Sequence, residues 1–229
     1  MKKIILSLAI LISPAVMAGS WSISTGSASN DENLGGVSDV LNSLSGDFID
    51  DTITSLEFGN VSISDGNSFS IGYEFNRELN FSYGVRFFNS GDLDIRIPFS
   101  ASLQDSGATG LIDGVIGGSL KVTSLDIYAN YFIPISEKFE LFATLGLGRW
   151  NGTWDQEISG TVSATNGVDS VVMTFPNESL GEQDIGDGTS VFYGLGLSYN
   201  VNEKISARIQ FENNSSDVDN TSISVLLEL

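Results

Sequence analysis

Segments of about ten residues in this chain alternate strictly between apolar and polar positions, and this period-two pattern recurs along the sequence. In Phe69-Ser-Ile71-Gly-Tyr73-Glu-Phe75 the odd positions are apolar and the even ones small or charged. Phe81 to Phe87, Leu125 to Ile133, Leu141 to Leu147, Tyr193 to Tyr199, Ile205 to Phe211 and Ile223 to Leu229 repeat it. A weaker segment near Ser20 to Thr25 places Trp21 and Ile23 on one side. Period-two alternation is the mark of a strand with one apolar face, so the reading is an all-β chain of eight antiparallel strands.

The second face decides where the apolar face points. It carries Gly72, Gly84, Gly146, Gly194 and Gly196, with Ser70, Ser82, Ser198 and Thr144. It also carries Glu74, Arg86, Asp126, Glu140, Arg208, Gln210, Glu212 and Glu228. Glycine weakens a strand and has no reason to collect on a face that meets water. The crowded interior of an eight-strand barrel does give it a reason. The expectation is therefore a transmembrane β-barrel, with the apolar face toward lipid and the small polar face filling a narrow lumen.

The connections have a sidedness. Three short ones share a pattern: a tyrosine, an apolar residue two further on, then a turn with charge. They are Tyr73 to Glu78, Tyr131 to Lys138 and Tyr199 to Lys204. The alternate links, roughly 27–66, 89–122 and 151–188, are long, and a link near 213–221 is moderate. Short periplasmic turns at one end and long extracellular loops at the other are the arrangement of outer-membrane barrels. The long links are acidic: residues 27–66 hold eight acids and no lysine or arginine. Asn166-Gly167 and Asp65-Gly66, each between alternating segments, predict two-residue hairpins, so the strands should continue beyond the membrane. Leu34, Val37, Leu41, Leu44 and Phe48 sit at helical spacing and predict one short helix in the first link.

The first residues read as a processing signal. Lys2 and Lys3 form a positive start, Ile4 to Val16 is mainly apolar, and Val16-Met17-Ala18 supplies small residues for cleavage. The expected division is residues 1–18 as signal peptide and 19–229 as one barrel domain. Cleavage would remove two of ten basic residues and leave a charge of 8 − 29 = −21. That charge excludes nucleic acid as a partner, because phosphate binding needs lysine and arginine. Hydrophobic residues at 41% and aromatics at 10% argue against disorder of the whole.

With its local cores Ser70 to Phe81, Leu145-Gly-Leu-Gly148 and Tyr193-Gly-Leu-Gly-Leu197, the chain resembles the small OmpA-like outer-membrane barrels, and more loosely the accessory colonisation factor type. The resemblance implies localisation in the outer membrane, contact with its lipid and with the barrel assembly machinery, and surface loops that meet a host or surface ligand. Such barrels usually end in Phe or Trp, where this chain ends in Leu229, and no peptidoglycan-binding domain is expected to follow.

Barrel enzymes of the envelope resemble one another in using histidine, and this chain has none, so a Ser–His–Asp arrangement is excluded. Glu74, Arg86, Asp126, Glu140, Arg208 and Glu212 are expected to form a structural charge network in the lumen, because buried charges must be paired. No catalytic, cofactor-binding or metal residues are assigned. Asp184 to Asp187 and Asp217 to Asn220 offer oxygen atoms but lack the spacing of a calcium loop. The leading reading is a non-enzymatic barrel displaying loops for adhesion, colonisation or envelope integrity. The alternatives are a periplasmic lipocalin-like ligand-binding barrel and an envelope enzyme. The first two separate on a gel. A membrane barrel extracted in detergent should change its mobility on heating, whereas a periplasmic protein should appear in the soluble fraction with no such shift.

Overall fold

The computed structural model describes residues 19–30, 53–75, 80–105, 107–214 and 218–228. The expected helix over Leu34 to Phe48 lies outside them. Ten strands follow in chain order: β1 (Gly19–Asn30), β2 (Ile53–Phe58), β3 (Ser62–Ile63), β4 (Gly66–Phe75), β5 (Phe81–Asp105), β6 (Ala108–Pro134), β7 (Phe139–Thr165), β8 (Ser170–Asn200), β9 (Ile205–Asn214) and β10 (Val218–Glu228). β1, β4, β5, β6, β7, β8, β9 and β10 pair antiparallel with their neighbours, and β10 returns to β1, as in Ile23 opposite Val225. This ring is the eight-strand barrel. β2 and β3 add to β5 outside it.

The outer face of the ring carries a belt of exposed large apolar side chains. On β7 it runs through Phe139, Leu141, Leu145 and Leu147, and on β8 through Val191, Tyr193, Leu195 and Leu197. Leu145 and Leu195 are 62% and 69% exposed. Water does not solvate so large an apolar surface on a monomer. The belt is nine residues tall on β7, from 139 to 147, close to the 9–11 that a tilted strand needs to cross a bilayer. A lipocalin-like barrel would need these side chains inside. At the belt's lower edge Trp21 and Tyr73, Phe81 and Tyr131, and Phe139 and Tyr199 stack in pairs with ring centroids 4.8–5.3 Å apart. That is the aromatic girdle expected at a lipid–water boundary.

The lower turns after β6 and β8 are short and locally capped. Ser136 Oγ accepts from the Phe139 N–H (3.1 Å), and Asn202 Oδ1 accepts from the Lys204 and Ile205 N–H groups (2.8 and 2.9 Å). The upper links of β5–β6 and β7–β8 are not irregular loops. β6 and β7 each run 27 residues, about 90 Å at 3.3 Å per residue, so more than half of each strand lies above the belt.

Two turns depart from the sequence reading. The Asn166-Gly167 hairpin forms, but four residues connect its strands: Thr165 pairs with Ser170. Asn166 Oδ1 accepts from both Val168 and Asp169 N–H groups, and Gly167 takes φ +87°. The Asp65-Gly66 hairpin does not form. Ser62 and Ile63 pair with Arg96 and Ile95 of β5 instead of with β4. β4 already has β1 on one side and β5 on the other, so only the upper part of β5 has a free edge to offer.

Above the belt the polarity of the wall inverts. On β7 the outward residues pass from Leu145 and Leu147 to Arg149, Asn151 and Asp155, while the inward ones pass from Gly146 and Gly148 to Trp150 and Trp154. β6 does the same around Leu125 and Thr123. On β5 a bulge accomplishes it. Gly91 takes φ +73°, its N–H donates to Asn89 Oδ1, and the register slips between Asn89 and Asp92. A slip of one residue exchanges the two faces. Below Gly91 the inward residues are Ser82, Gly84, Arg86 and Phe88; above it they are Leu93, Ile95 and Ile97, all fully buried. These pack with Ile116, Leu120, Val122 and Trp154 into an apolar core that caps the lumen.

The inside–outside assignment makes a sharp expectation. Leu195→Arg should cost about 2–4 kcal/mol of folding free energy in lipid. Gly196→Leu should also fail, because any Cβ there lands on the Phe142 ring. Equilibrium refolding into vesicles measures both, and a Leu195→Arg barrel as stable as the parent would reverse the assignment.

Candidate functional site

Two regions hold the chemistry-bearing side chains: the lumen inside the belt, and the sheet above it. In the lumen one polar chain crosses from wall to wall. Arg86 Nε donates to Asp126 Oδ2 (2.8 Å), and its Nη1 donates to Glu212 (2.7 Å). Gln210 Nε2 donates to Glu212 Oε1 (3.0 Å) and to Thr144 Oγ1 (2.8 Å). Thr144 donates to Asn130 Oδ1 (2.7 Å), and Asn130 Nδ2 donates to Glu74 Oε2 (3.0 Å). Arg208 closes the chain with a two-point grip on Glu74 at 2.6 and 3.0 Å. Of the six charged residues singled out in the sequence, five stand in this chain. Glu140 lies nearer the lower turns, within electrostatic reach of Arg208.

Aromatic rings complete the filling. The Arg86 guanidinium lies 4.7 Å from the Phe192 ring centroid, and Arg208 lies between Phe132 and Phe142 at 5.0 and 5.2 Å. Such cation–π contacts strengthen when desolvated. Between the network and the serines of β1, β4 and β10 lies a cavity of about 30 Å³, room enough for a water. The arrangement can hold the wall rigid and exclude ions.

The upper sheet offers two clefts. An apolar one of about 110 Å³ is lined by Leu56, Phe58, Phe99, Ile112, Ile158 and Phe175, among others. A polar one of about 380 Å³ on the outer face is floored by Gly117 and Gly118 and walled by Asp94, Arg96, Ser119, Glu157 and Asn177. Nearby Lys121 lies 3.0 Å from Asp92, both exposed. Its hydrogen bond holds the Asp92 carboxyl below its ordinary value, and Asp92 holds the Lys121 ammonium above its own. Among the described residues no group of three or more metal-ligating side chains assembles. Asp184 caps the Gly186 N–H, and Asp187 pairs with Arg149 at 2.6 Å. Asp217 lies outside the described residues, and Asp219 accepts from Asn213.

The upper core escaped the sequence reading. Its signal is present in Arg149-Trp-Asn-Gly-Thr-Trp-Asp-Gln-Glu-Ile158, where the alternation persists with the apolar residues now at even positions.

A closed ring with lipid-facing apolar residues and a filled polar lumen defines a transmembrane β-barrel. The model of the family described as outer membrane protein beta-barrel domain matches residues 15–228, and the chain belongs to that family. Its place is the outer membrane. A search of the curated proteins matched none of them. Among solved structures the chain is similar to Neisserial surface protein A, at 12% identity over 92% of this chain and 96% of that one, TM-score 0.49. It is similar to Ail, the attachment invasion locus protein of Yersinia pestis, at 18% identity over 93% and 98%, TM-score 0.36. It is also similar to OprG of Pseudomonas aeruginosa, at 12% identity over 93% and 91%, TM-score 0.39. The family match, and not these distant overlaps, carries the assignment.

The lumen geometry sets two expectations. Arg86→Met strands the buried Asp126 and Glu212 carboxylates and should cost about 3–5 kcal/mol, read from urea unfolding in lipid. The parent protein should give no stable large-conductance steps in planar-bilayer recordings, since its interior is filled.

Proposed function

We propose that this chain is a non-enzymatic surface barrel: a sealed, rigid body in the outer membrane that holds a folded β-sheet away from the cell for contact with a surface ligand. The observation that carries this reading is the length of β5 to β8, 25 to 31 residues, with a hydrophobic core of their own above the belt. Strands needed only to cross a bilayer would stop at about ten residues. A sheet with its own core presents a fixed shape, and fixed shape lowers the ordering cost of binding.

The mature protein starts, on this reading, at Gly19 after removal of residues 1–18, and reaches its place through the assembly machinery that accepts barrel strands. The lumen network of Glu74, Arg86, Asp126, Arg208 and Glu212, with Glu140 below it, fills and stiffens the wall. Ail was solved in complex with the heparin analogue sucrose octasulfate. The present surface favours a different ligand. Above the belt its described cations are Arg96, Lys121 and Arg149, and two of these already pair with acids. A polysulfate would be repelled, so the ligand meets this surface through a neutral or basic patch.

Replacing the upper parts of both long hairpins by short turns tests the reading. The trimmed barrel should still shift its gel mobility on heating, and cells bearing it should lose attachment down to the level of cells without the protein. Undiminished attachment by the trimmed, folded barrel would sink the proposal.

A further inference from the structure

The upper sheet has an open edge. β8 pairs with β7 from Ser170 onward, but its ladder with β9 begins only at Phe192 opposite Asn214. From Ser170 to Ser190 the other side of β8 has no strand partner among the described residues. An open edge presents unpaired N–H and C=O groups and invites pairing with another chain.

Most of this edge is protected. Between residues 176 and 187 it carries Pro176, Glu178, Glu182, Asp184 and Asp187, and the β7–β8 register shifts three times between Gly152 and Gly160. Charge, proline and bulges are the usual devices against edge pairing. The opposite edge, β2, is six residues long with Glu57 and its own register shift. Protection stops at the distal end. Ser170-Val-Val-Met-Thr-Phe175 pairs with β7 residue for residue, without a shift. In a chain of net charge −19, no charged residue lies between Ser170 and Asn177, nor between Ile158 and Val168 on the facing strand. Val168, Val172 and Met173 are 89%, 70% and 66% exposed. Six uncharged residues, four of them (Val171, Val172, Thr174 and Phe175) of high strand propensity, without proline, are the composition that pairs edge to edge.

We propose that this distal edge, Ser170–Phe175, pairs antiparallel with the same edge of a second copy of the chain held in a facing membrane. The proposal rests on the surface-contact reading above and names its partner. Three features select a second copy. Two such acidic proteins repel one another least at this hairpin, whose two strands carry no charge from Ile158 to Thr165 and from Ser170 to Phe175 and whose turn carries the single acid Asp169. The segment is also self-complementary. With a twofold axis at Val172, Ser170 meets Thr174 and Val171 meets Met173, so hydroxyl faces hydroxyl and apolar faces apolar, pairings that stabilise antiparallel strands. Finally, antiparallel overlap of two hairpins places their barrels on opposite sides of the contact. The hairpin tip stands 18 residues beyond Leu147 at the belt's upper edge, about 60 Å along the strand, where two facing surfaces first meet.

Phosphatidylcholine vesicles carrying the full refolded protein test this, with donor and acceptor dyes in separate batches and energy transfer reporting vesicle clustering. Parent vesicles should cluster as protein density rises. Val172→Lys vesicles alone and Val172→Glu vesicles alone should fall to the protein-free level, because each variant places like charges across the axis. Mixing the two variants should restore clustering. Val172 is exposed, and the heat-induced mobility shift verifies that both variants fold. Clustering by Val172→Lys vesicles equal to the parent, or no recovery on mixing, would overturn the pairing. Absence of clustering by the parent would overturn it too. In that case loss of cell attachment on hairpin trimming would still stand for the broader reading, so the two failures are distinguishable.

Discussion

Inside a bilayer the backbone finds no water, so each N–H and C=O of the chain must be paired within the protein. A ring of eight antiparallel strands achieves this only when the last strand returns to the first, and here β10 meets β1 along eleven consecutive residue pairs, from Ser20–Glu228 to Asn30–Val218. The remaining features follow from that closure. Once the ladder is complete, the outer side chains need only be compatible with lipid, which Leu145, Leu195 and Ile209 are. The inner side chains need only fit a fixed, narrow tube. Fit explains the company kept there: Gly84 leaves room for Tyr128, Gly146 for Phe192 and Gly196 for Phe142. Rings placed this way flank the two guanidiniums, and the guanidiniums hold the carboxylates that would otherwise be buried alone.

The same ladder then runs into water without a break, and the wall turns itself inside out. Within the belt the apolar side chains face outward, because lipid is the outer medium. A few residues higher they face inward, because burial now removes them from water, worth about 1.5–3 kcal/mol for a fully buried aliphatic side chain. β6 and β7 manage the change by composition alone. β5 needs the Gly91 bulge to bring Leu93 opposite Leu120 and Ile97 opposite Ile116. The cost is local, since Asn89 and Ser90 supply hydrogen bonds that hold the bulge: Asn89 accepts from Gly91, and Ser90 accepts from Val122. The result is a lid of packed apolar side chains directly above a polar plug, so the barrel is closed twice by opposite chemistry.

Much of the barrel is legible from sequence because it depends on local information. Alternation within ten residues, glycine on one face and short charged turns each need only neighbours along the chain. The strands around Phe69 to Phe75 and Tyr193 to Tyr199 could be placed for that reason. What was not legible depends on partners far away in sequence. Arg86 on β5 chooses Glu212 on β9, and alternation says nothing of that choice. The pairing of Ser62 with Arg96 rather than with β4 depends on which edges remain free once the ring has closed. The upper core was missed for a different reason. Its pattern is local, but its phase is inverted relative to the strand below, as at Arg149 to Ile158, and a reading that fixes one face per strand passes over it.

The open edge of β8 is a geometric consequence of unequal hairpins. Within lipid, an edge would leave backbone groups unpaired, so closure is compulsory there. Above lipid it is optional, and the strands stop at different heights. β9 ends at Asn214 and β10 begins at Val218, so their hairpin turns back soon after the belt, while β7 and β8 continue to Thr165 and Ser170. β8 therefore runs on above its ladder with β9 and has to be protected by other means. Acids, a proline and register shifts do this along most of its length. The lower edge is unattractive to other strands, and the stretch Ser170–Phe175 beyond Pro176, uncharged and regular, is where specific contact is left to form.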